Sequence, residues 1–412
     1  MNKIFIGDNL KVLEDVLIEK ESIKMIYIDP PYNTKSKLSY NDRVDEEEWL
    51  SELEKRLILS KSLLKDDGMV FISIDDNEYA ELKLLCDRVY SKKNYVGTFI
   101  VKQAQRSNSK HLNTVHEYIL CYCKDKKSLG RLSIKKMDIP EQRQVIDSIK
   151  REVGLVFNKY GVSEARKKLK EQINRYIVVE DLHWLINYYN IDENGRIFFA
   201  TDLSAPIPPN SLDIPEIGLH LEPLPTRGWQ SKSKFIELHN KGLLYFRDGR
   251  PYAKHYIEDA EDNVSSILNF CSKQGTTDLK RIGLEGLFDT PKSVELLKYL
   301  IRISCGNNDT VLDLYAGSGT TAQAVYEVNN ENKLGINYYL VQSEEMLWEK
   351  SKPYVFAIKN GYEPTVANAL LYRIDRVCEL MNIEKDYEVI KNEIKLNKNN
   401  TYDKIVYEIE IS

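Results

Sequence analysis

Residues Lys24–Asn33 form an apolar run that stops abruptly at Asp29-Pro30-Pro31-Tyr32. Met25–Ile28 reads as a strand. Two successive prolines end it, because each lacks an N–H donor and holds φ at about −65°. The product is a stiff corner with carbonyl acceptors between a carboxylate and an aromatic face. Such a corner suits a flat molecule carrying an amino group: its ring stacks on Tyr32, and its amine donates to Asp29 and the Pro30 carbonyl. A Pro-Pro pair also serves simply to end a strand, and this segment alone leaves both readings open.

A second motif lies far along the chain. Asp309–Val325 reads as a buried strand, a glycine-rich turn and a helix start. Gly317 and Gly319 let the backbone pass close to a ligand, and the helix N-terminus offers N–H groups to a carboxylate. Nucleotide-binding folds of many kinds share such a turn, and no Lys follows it, which disfavours a Walker-type phosphate cradle.

Together the two motifs resemble those of the DNA amino-methyltransferases, which use S-adenosylmethionine (AdoMet). The family's DPPY and DxFAGSGTT sequences stand here as Asp29–Tyr32 and Asp313–Thr321, with Tyr315 where Phe is usual. Their order, catalytic motif first and cofactor turn last, resembles the permuted β group. Further similarity runs through Phe5–Asn9, Gly68–Glu78, His116–Leu120 and Phe288–Lys292. Gly228 to about Ser266 resembles the Mod subunits of type III restriction systems and their solitary relatives. The resemblance covers most of the chain except roughly residues 124–195.

The resemblance implies an α/β fold: a Rossmann-like AdoMet-dependent methyltransferase sheet, circularly permuted, with an inserted target-recognition region. It implies catalysis by Asp29, Pro30, Pro31 and Tyr32. In the cofactor set it places Asp313, Ala316, Gly317, Ser318, Gly319 and Thr320 around the methionine portion, with Asp29 beside them. Asp8 matches the position that receives the adenine amine, and Phe288, Thr290 and Lys292 belong to a motif near the methionine carboxylate. Gln342, followed by Glu344 and Glu345, stands where a carboxylate usually holds the ribose diol. A helix cap at Asp289 or Thr290, before Pro291, is compatible with binding.

A target base inside a duplex must be rotated out, at a cost of a few kcal/mol, and Tyr32 would replace its lost stacking. The polar loop Asn33–Arg43 is placed to close over it. Lys102–His111, rich in cations and amides, suits contact with DNA or is an ordinary loop. The DNA-binding candidates are therefore Asn33, Lys35, Lys102, Arg106, Lys110 and His111.

Charge distribution points the same way. Lys124–Arg175 holds 15 Lys/Arg against 7 Asp/Glu, a local excess of +8 in a chain of net charge −5, which leaves −13 for the remainder. A basic segment in an acidic protein reads as a phosphate footprint; the alternative is a solvated helical face, as Ser163–Gln172 suggests. Six cysteines without a CxxC pair argue against a disulfide framework or zinc, and no metal is expected. Cys121 and Cys123 alternate in a strand-like run and should pack. No apolar run of about 18 residues and no signal pattern are present, so a cytoplasmic protein without membrane contact is expected.

Strand-like runs at Lys3–Ile6, Met25–Ile28, Met69–Ile74, Tyr118–Cys123, Val311–Leu314 and Tyr338–Val341 alternate with helical patterns such as Glu46–Leu64 and Ser293–Ser304. This predicts a doubly wound sheet, with Asp309–Gln342 slotting beside residues 1–33. The organisation expected is a catalytic half at 1–123, the target-recognition insertion at 124–270, an AdoMet-binding half at 271–375 and a C-terminal extension at 376–412. Gly242–Pro251 predicts a hairpin, and Ile405–Ile411 a final edge strand or an interface element. Asp75–Glu78 reads as a helix cap, and Trp184, Trp229 and Trp348 as core or hinge anchors.

The function expected is methyl transfer from AdoMet to adenine N6 in duplex DNA, within restriction–modification or epigenetic marking. Cytosine N4 offers the same amine chemistry and stays open. A non-catalytic DNA-specificity subunit is disfavoured by the intact Asp29–Tyr32, and a Rossmann oxidoreductase would leave Pro30-Pro31-Tyr32 unexplained. Double-stranded DNA is the expected partner, and the resemblance implies a homodimer. The chain is shorter at its C-terminus than type III Mod subunits, so pairing with a restriction subunit and a solitary role are equally compatible.

Overall fold

The computed structural model describes residues 1–15, 18–33, 45–103, 111–271, 273–396 and 402–409. The chain divides into two compact units, Met1–Leu132 with Val264–Ser412, and Ser133–Asn263. The second falls within the stretch 124–270 that composition sets apart.

The first unit is built on a ten-stranded sheet. Its strands are β1 (Asn2–Ile6), β2 (Ile23–Ile28), β3 (Leu64–Ile74), β4 (Tyr95–Lys102), β5 (His116–Cys123), β6 (Ile267–Leu268), β7 (Thr310–Asp313), β8 (Asn337–Gln342), β9 (Tyr387–Leu396) and β10 (Tyr402–Ile409). Their spatial order is β6-β4-β5-β3-β2-β7-β8-β1-β9-β10. The block from β3 to β9 is parallel, while β5 and β10 run antiparallel to their neighbours. Strands covered on both faces read as continuous apolar runs. Accordingly Phe5, Ile26, Ile28, Val70, Ile72, Leu312 and Val341 are sealed from solvent in one core, each contributing roughly 1.5–3 kcal/mol of burial.

Every expected strand run falls on a strand of this sheet, with Val311–Leu314 passing the end of β7 by one residue. The C-terminal pair β7 and β8 slots between β2 and β1, pairing Val311 with Met25, Asp313 with Tyr27, and Phe5 with Val341. Residues some 285 positions apart therefore become strand neighbours, which is the spatial signature of a permuted doubly wound sheet. Ile405–Ile409 of the terminal alternation lies in the edge strand β10, and the rest of that run lies outside the described residues.

In the second unit, helix Pro140–Tyr176 breaks at Gly161, where φ is +79°. Gln172 donates to Glu152 at 2.6 Å, so the two halves fold back on each other. Ala165 and Leu169 join a core with Ile146, Ile149 and Val153, while Glu164, Lys167 and Lys170 of the same segment face solvent. The expected hairpin forms from Leu244–Arg247 and Arg250–Tyr256. Asp248 and Gly249 turn it with φ of +51° and +74°, the positive values a two-residue turn requires.

Three local expectations are corrected. Ser293, not Asp289 or Thr290, caps the helix Val294–Ser304, accepting from Leu296 N–H. Glu78 stands at the start of helix Tyr79–Cys86 without capping it; it accepts from Asn33 Nδ2 at 2.9 Å, and Asp75 takes the Asn77 N–H in a local turn. Trp229 is buried and Trp184 packs against the second unit's core, but Trp348 is 59% exposed and is not a core residue.

Candidate active site

The site lies in the first unit, at the carboxyl ends of β2, β7, β8 and β1, where open α/β sheets bind ligands. Leaving β2, the chain turns through Asp29, the buried Pro30, Pro31 and Tyr32. Trp49, on helix Glu46–Leu63, donates its indole N–H to the Pro31 carbonyl at 2.9 Å and so pins the corner. One of the two proline carbonyls is thus already taken, which the sequence did not reveal.

Four side chains converge beside this corner. The Tyr32 hydroxyl donates to Asp29 Oδ1 at 3.0 Å and lies 3.2 Å from Glu117 Oε2. Lys292 Nζ donates to the Tyr32 oxygen at 2.6 Å and pairs with Asp29 Oδ1 at 3.1 Å and Glu117 Oε2 at 3.2 Å. The same ammonium stands 5.0 Å from the Tyr32 ring centroid. Burial alone would lower the Lys292 pKa. The carboxylates of Asp29 and Glu117 overcome it and leave the ammonium well above the ordinary lysine range. Burial, then the same two anions, drives the Tyr32 phenol well above its usual value, so it serves as a hydrogen-bond donor and not as a phenolate.

The glycine turn follows β7. Gly317 and Gly319 adopt φ of +54° and +78°, open to glycine at little cost. Ala316 N–H is held by the Val341 carbonyl at 3.1 Å, and Gly317 N–H by Gln342 Oε1 at 2.8 Å. Phe288 lies against Gly317, whereas Thr290 is exposed on the loop before Lys292. Asp313 is buried, accepting from Tyr315 N–H at 3.0 Å and the Thr321 hydroxyl at 2.5 Å. Burial raises its pKa to about 7, although the Thr321 hydrogen bond opposes the shift.

Ser318 and Thr320 point inward. Both accept from Arg373 Nη1, at 2.8 and 2.7 Å, and the same guanidinium donates twice to Gln323 Oε1. Arg373 is fully buried, and that burial lowers its pKa to about 10. A cleft of about 120 Å³ opens between Gly7, Asp8, Asn9, Arg56, Leu314, Tyr315, Val341, Gln342 and Ser343. Within it Asp8 caps the helix Asn9–Glu14 and stands 3.4 Å from Arg56.

The expected site residues thus fall into three groups. Asp8 and Gln342 border the cleft, to which the glycine turn is tied through the Gly317–Gln342 bond; Asp29, Tyr32 and Lys292 form the polar knot; and Asn33 follows the corner, while Lys102 and His111 are exposed at the end of β4 and in the stretch before β5. Lys35, Arg106 and Lys110 lie outside the described residues. Glu117, Trp49, Arg56 and Arg373 were not singled out by their sequence context. Glu117 sits inside the His116–Leu120 similarity, whereas Arg373 interrupts an otherwise apolar helical pattern, a signal that could have marked it. Among the described residues no group of His, Cys, Asp and Glu is arranged to hold a metal, and no helix is long and apolar enough to cross a membrane.

An acid–diproline–tyrosine corner beside a glycine turn, on adjacent parallel strands of a permuted doubly wound sheet, defines the class of Rossmann-like amino-methyltransferases. The comparison with known families agrees: the N6/N4 family model, described as DNA methylase, matches residues 23–347, and the chain belongs to that family. It is 30% identical over 403 residues to the Mod subunit of the type III restriction-modification enzyme EcoP15I of Escherichia coli, covering 86% of this chain and 60% of that one. To the EcoPI Mod subunit of Escherichia phage P1 it is 28% identical over 407 residues, covering 88% and 61%. To the type II methyltransferase M.KpnI of Klebsiella pneumoniae it is 27% identical over 403 residues, covering 92% and 88%. The chain therefore spans about three fifths of the length of the two Mod subunits.

Proposed function

We propose that this chain transfers a methyl group from AdoMet to the N6 amine of an adenine turned out of duplex DNA. The observation that carries the reading is the β2–β7 register, Tyr27 opposite Asp313, which brings the Asp29 corner and the glycine turn to one edge. The residues present fit the cofactor. A cleft bordered by Asp8, Asn9, Gln342 and Ser343 offers polar groups to an adenosine, and the buried Asp313 suits an ammonium that would favour its ionised form. AdoMet would supply the electrophilic methyl, as a sulfonium.

The protein's own part is orientation and charge. An exocyclic amine is a poor nucleophile because its lone pair is delocalised into the ring. Donating to Asp29 and the Pro30 carbonyl pulls its nitrogen towards a pyramidal shape and stabilises the positive charge that develops there. Holding the amine in line with the methyl contributes through orientation, where intramolecular models reach roughly 7–11 kcal/mol. Asp29 takes the proton once the new N–C bond has made it acidic. Tyr32 stacks on the base, with its hydroxyl already tied to Asp29.

Partners proposed on the same footing are duplex DNA, a second copy of the chain and a restriction subunit, with the cytoplasm as the place of action. The basic stretch Lys124–Arg175 and the fold around it are assigned to target recognition. Tritium transfer from labelled AdoMet to duplex DNA, followed by nucleoside analysis, should yield N6-methyladenine. Asp29→Ala should abolish transfer while AdoMet binding falls far less; a fully active Asp29→Ala would overturn the catalytic assignment.

A further inference from the structure

We infer that Glu117 is a positioning residue for this reaction: by sharing Lys292 with Asp29 it leaves one Asp29 oxygen open to the target amine. The inference rests on the methyl-transfer reading above and concerns a residue outside both sequence motifs.

Glu117 reaches the site from β5, on the opposite side of β3 from β2, and its side chain is only 12% exposed. Burying a carboxylate is costly unless it is paired, and here the pairing is specific. Both of its contacts use Oε2, one to the Tyr32 hydroxyl and one to Lys292 Nζ. On Asp29 the Tyr32 hydrogen bond and the approach of Lys292 at 3.1 Å are likewise both at Oδ1. Oδ2 is therefore the atom presented to an incoming amine.

Lys292 donates to Tyr32 and Glu117 and pairs ionically with Asp29. As ionised groups, two carboxylates and one ammonium leave a net charge of −1 beside the amine, which becomes cationic as methyl arrives. Without the Glu117 charge, Lys292 would pair with Asp29 alone. The amine would then compete with an ammonium for its acceptor, and the local charge would fall to zero when negative charge is most needed. Glu117 touches neither base nor cofactor in this account; it acts through Lys292 and Tyr32.

The test is single-turnover transfer from labelled AdoMet to duplex DNA by the full chain. Glu117→Gln should lower the rate about 100-fold, and Glu117→Asp, which keeps the charge on a shorter stem, should recover at least about tenfold of that. In a Lys292→Met background Glu117→Gln should cost less than about fivefold, because nothing remains to be shared. A purely structural role predicts the same cost in both backgrounds. Circular dichroism checks folding; should the Gln variant unfold, the coupling is read from Glu117→Asp instead. Wild-type rate in Glu117→Gln, equal loss in Asp and Gln, or equal cost in both backgrounds overturns the inference while the methyl-transfer reading stands. A wild type that binds no AdoMet and transfers no methyl overturns both.

Discussion

The backbone N–H of Leu314 donates to the carbonyl of Tyr27 at 3.2 Å, one residue past Asp313 and two before Asp29. This bond extends the β2–β7 ladder to the mouth of the site, so the acid–diproline corner and the glycine turn are fixed to one another through backbone. Groups carried on strand ends hold their positions better than groups on free loops. Lys292 has no such support from the sheet; it sits on the loop before helix Val294–Ser304, and its placement depends on what packs behind it.

That dependence gives the first prediction. Helix Lys273–Arg281 crosses this loop at Gly275, where an added Cβ would collide with the Pro291 carbonyl oxygen and stand 2.8 Å from that of Lys292. Both obstacles are backbone and cannot rotate away. Gly275→Ala should displace Lys292 from Asp29 and Glu117, lowering the methyl-transfer rate by about tenfold or more, with a stability loss of about 1–3 kcal/mol in urea titrations. Unchanged transfer would mean that the loop can shift without moving Lys292.

The sheet was legible because buried parallel strands carry contiguous apolar runs, as in Met25–Ile28 and Val311–Leu314, bounded by turn residues. The two motifs were legible because proline pairs and glycine turns impose backbone shapes that few other sequences reach. Glu117 was not singled out: a glutamate within a strand reads as solvent-facing, and only the pairing of β5 with β3 turns it towards Lys292. Trp49 is similar, since its helix was expected but its bond to the Pro31 carbonyl depends on packing. The cap on Ser293 was missed because Thr290-Pro291 imitates a helix start, and the chain instead stays outside the helix through Lys292.

Arg373 should matter to the glycine turn as much as any residue within it. It donates four hydrogen bonds to uncharged acceptors on Ser318, Thr320 and Gln323 while fully buried. Arg373→Met would leave those acceptors unpaired, and bonds to a charged donor are worth about 1.5–3 kcal/mol. Chemical unfolding should show a loss of about 3 kcal/mol, accompanied by weaker AdoMet binding in calorimetry. A variant as stable as the wild type would show that methionine packing replaces the network.

Gln342 offers a narrower test. Its Oε1 holds the Gly317 N–H at 2.8 Å, and its side chain borders the cleft beside Asp8. Gln342→Ala removes this tether and should weaken AdoMet binding about tenfold, the size expected for one hydrogen bond lost at a part-buried position. Gln342→Glu keeps an acceptor for Gly317 and adds a charge facing the proposed ribose diol, so its affinity should lie at or above that of the wild type. Titration calorimetry of both variants checks the order.

Asp313 makes the site sensitive to pH in a direction that can be worked out. Its pKa stands at about 7 against an ordinary 3.8, because burial disfavours the carboxylate. Between these values the folded chain holds a proton that the unfolded chain has released. The group's relative stabilisation is therefore complete below about pH 4 and is lost as pH rises to about 7. Three pKa units amount to roughly 4 kcal/mol at most. Asp313→Asn cannot titrate, so the stability of the wild type minus that of the variant should fall by about 2–4 kcal/mol between pH 4 and pH 7, then level off. Ligand binding should run the other way. An ammonium beside Asp313 favours the ionised acid, so AdoMet affinity should strengthen through about pH 7 in the wild type and stay flatter in the variant. Denaturant titrations and calorimetry at matched pH values measure both slopes. A stability difference that does not change between pH 4 and pH 7 would show that Thr321 and the Tyr315 N–H already hold Asp313 as an anion.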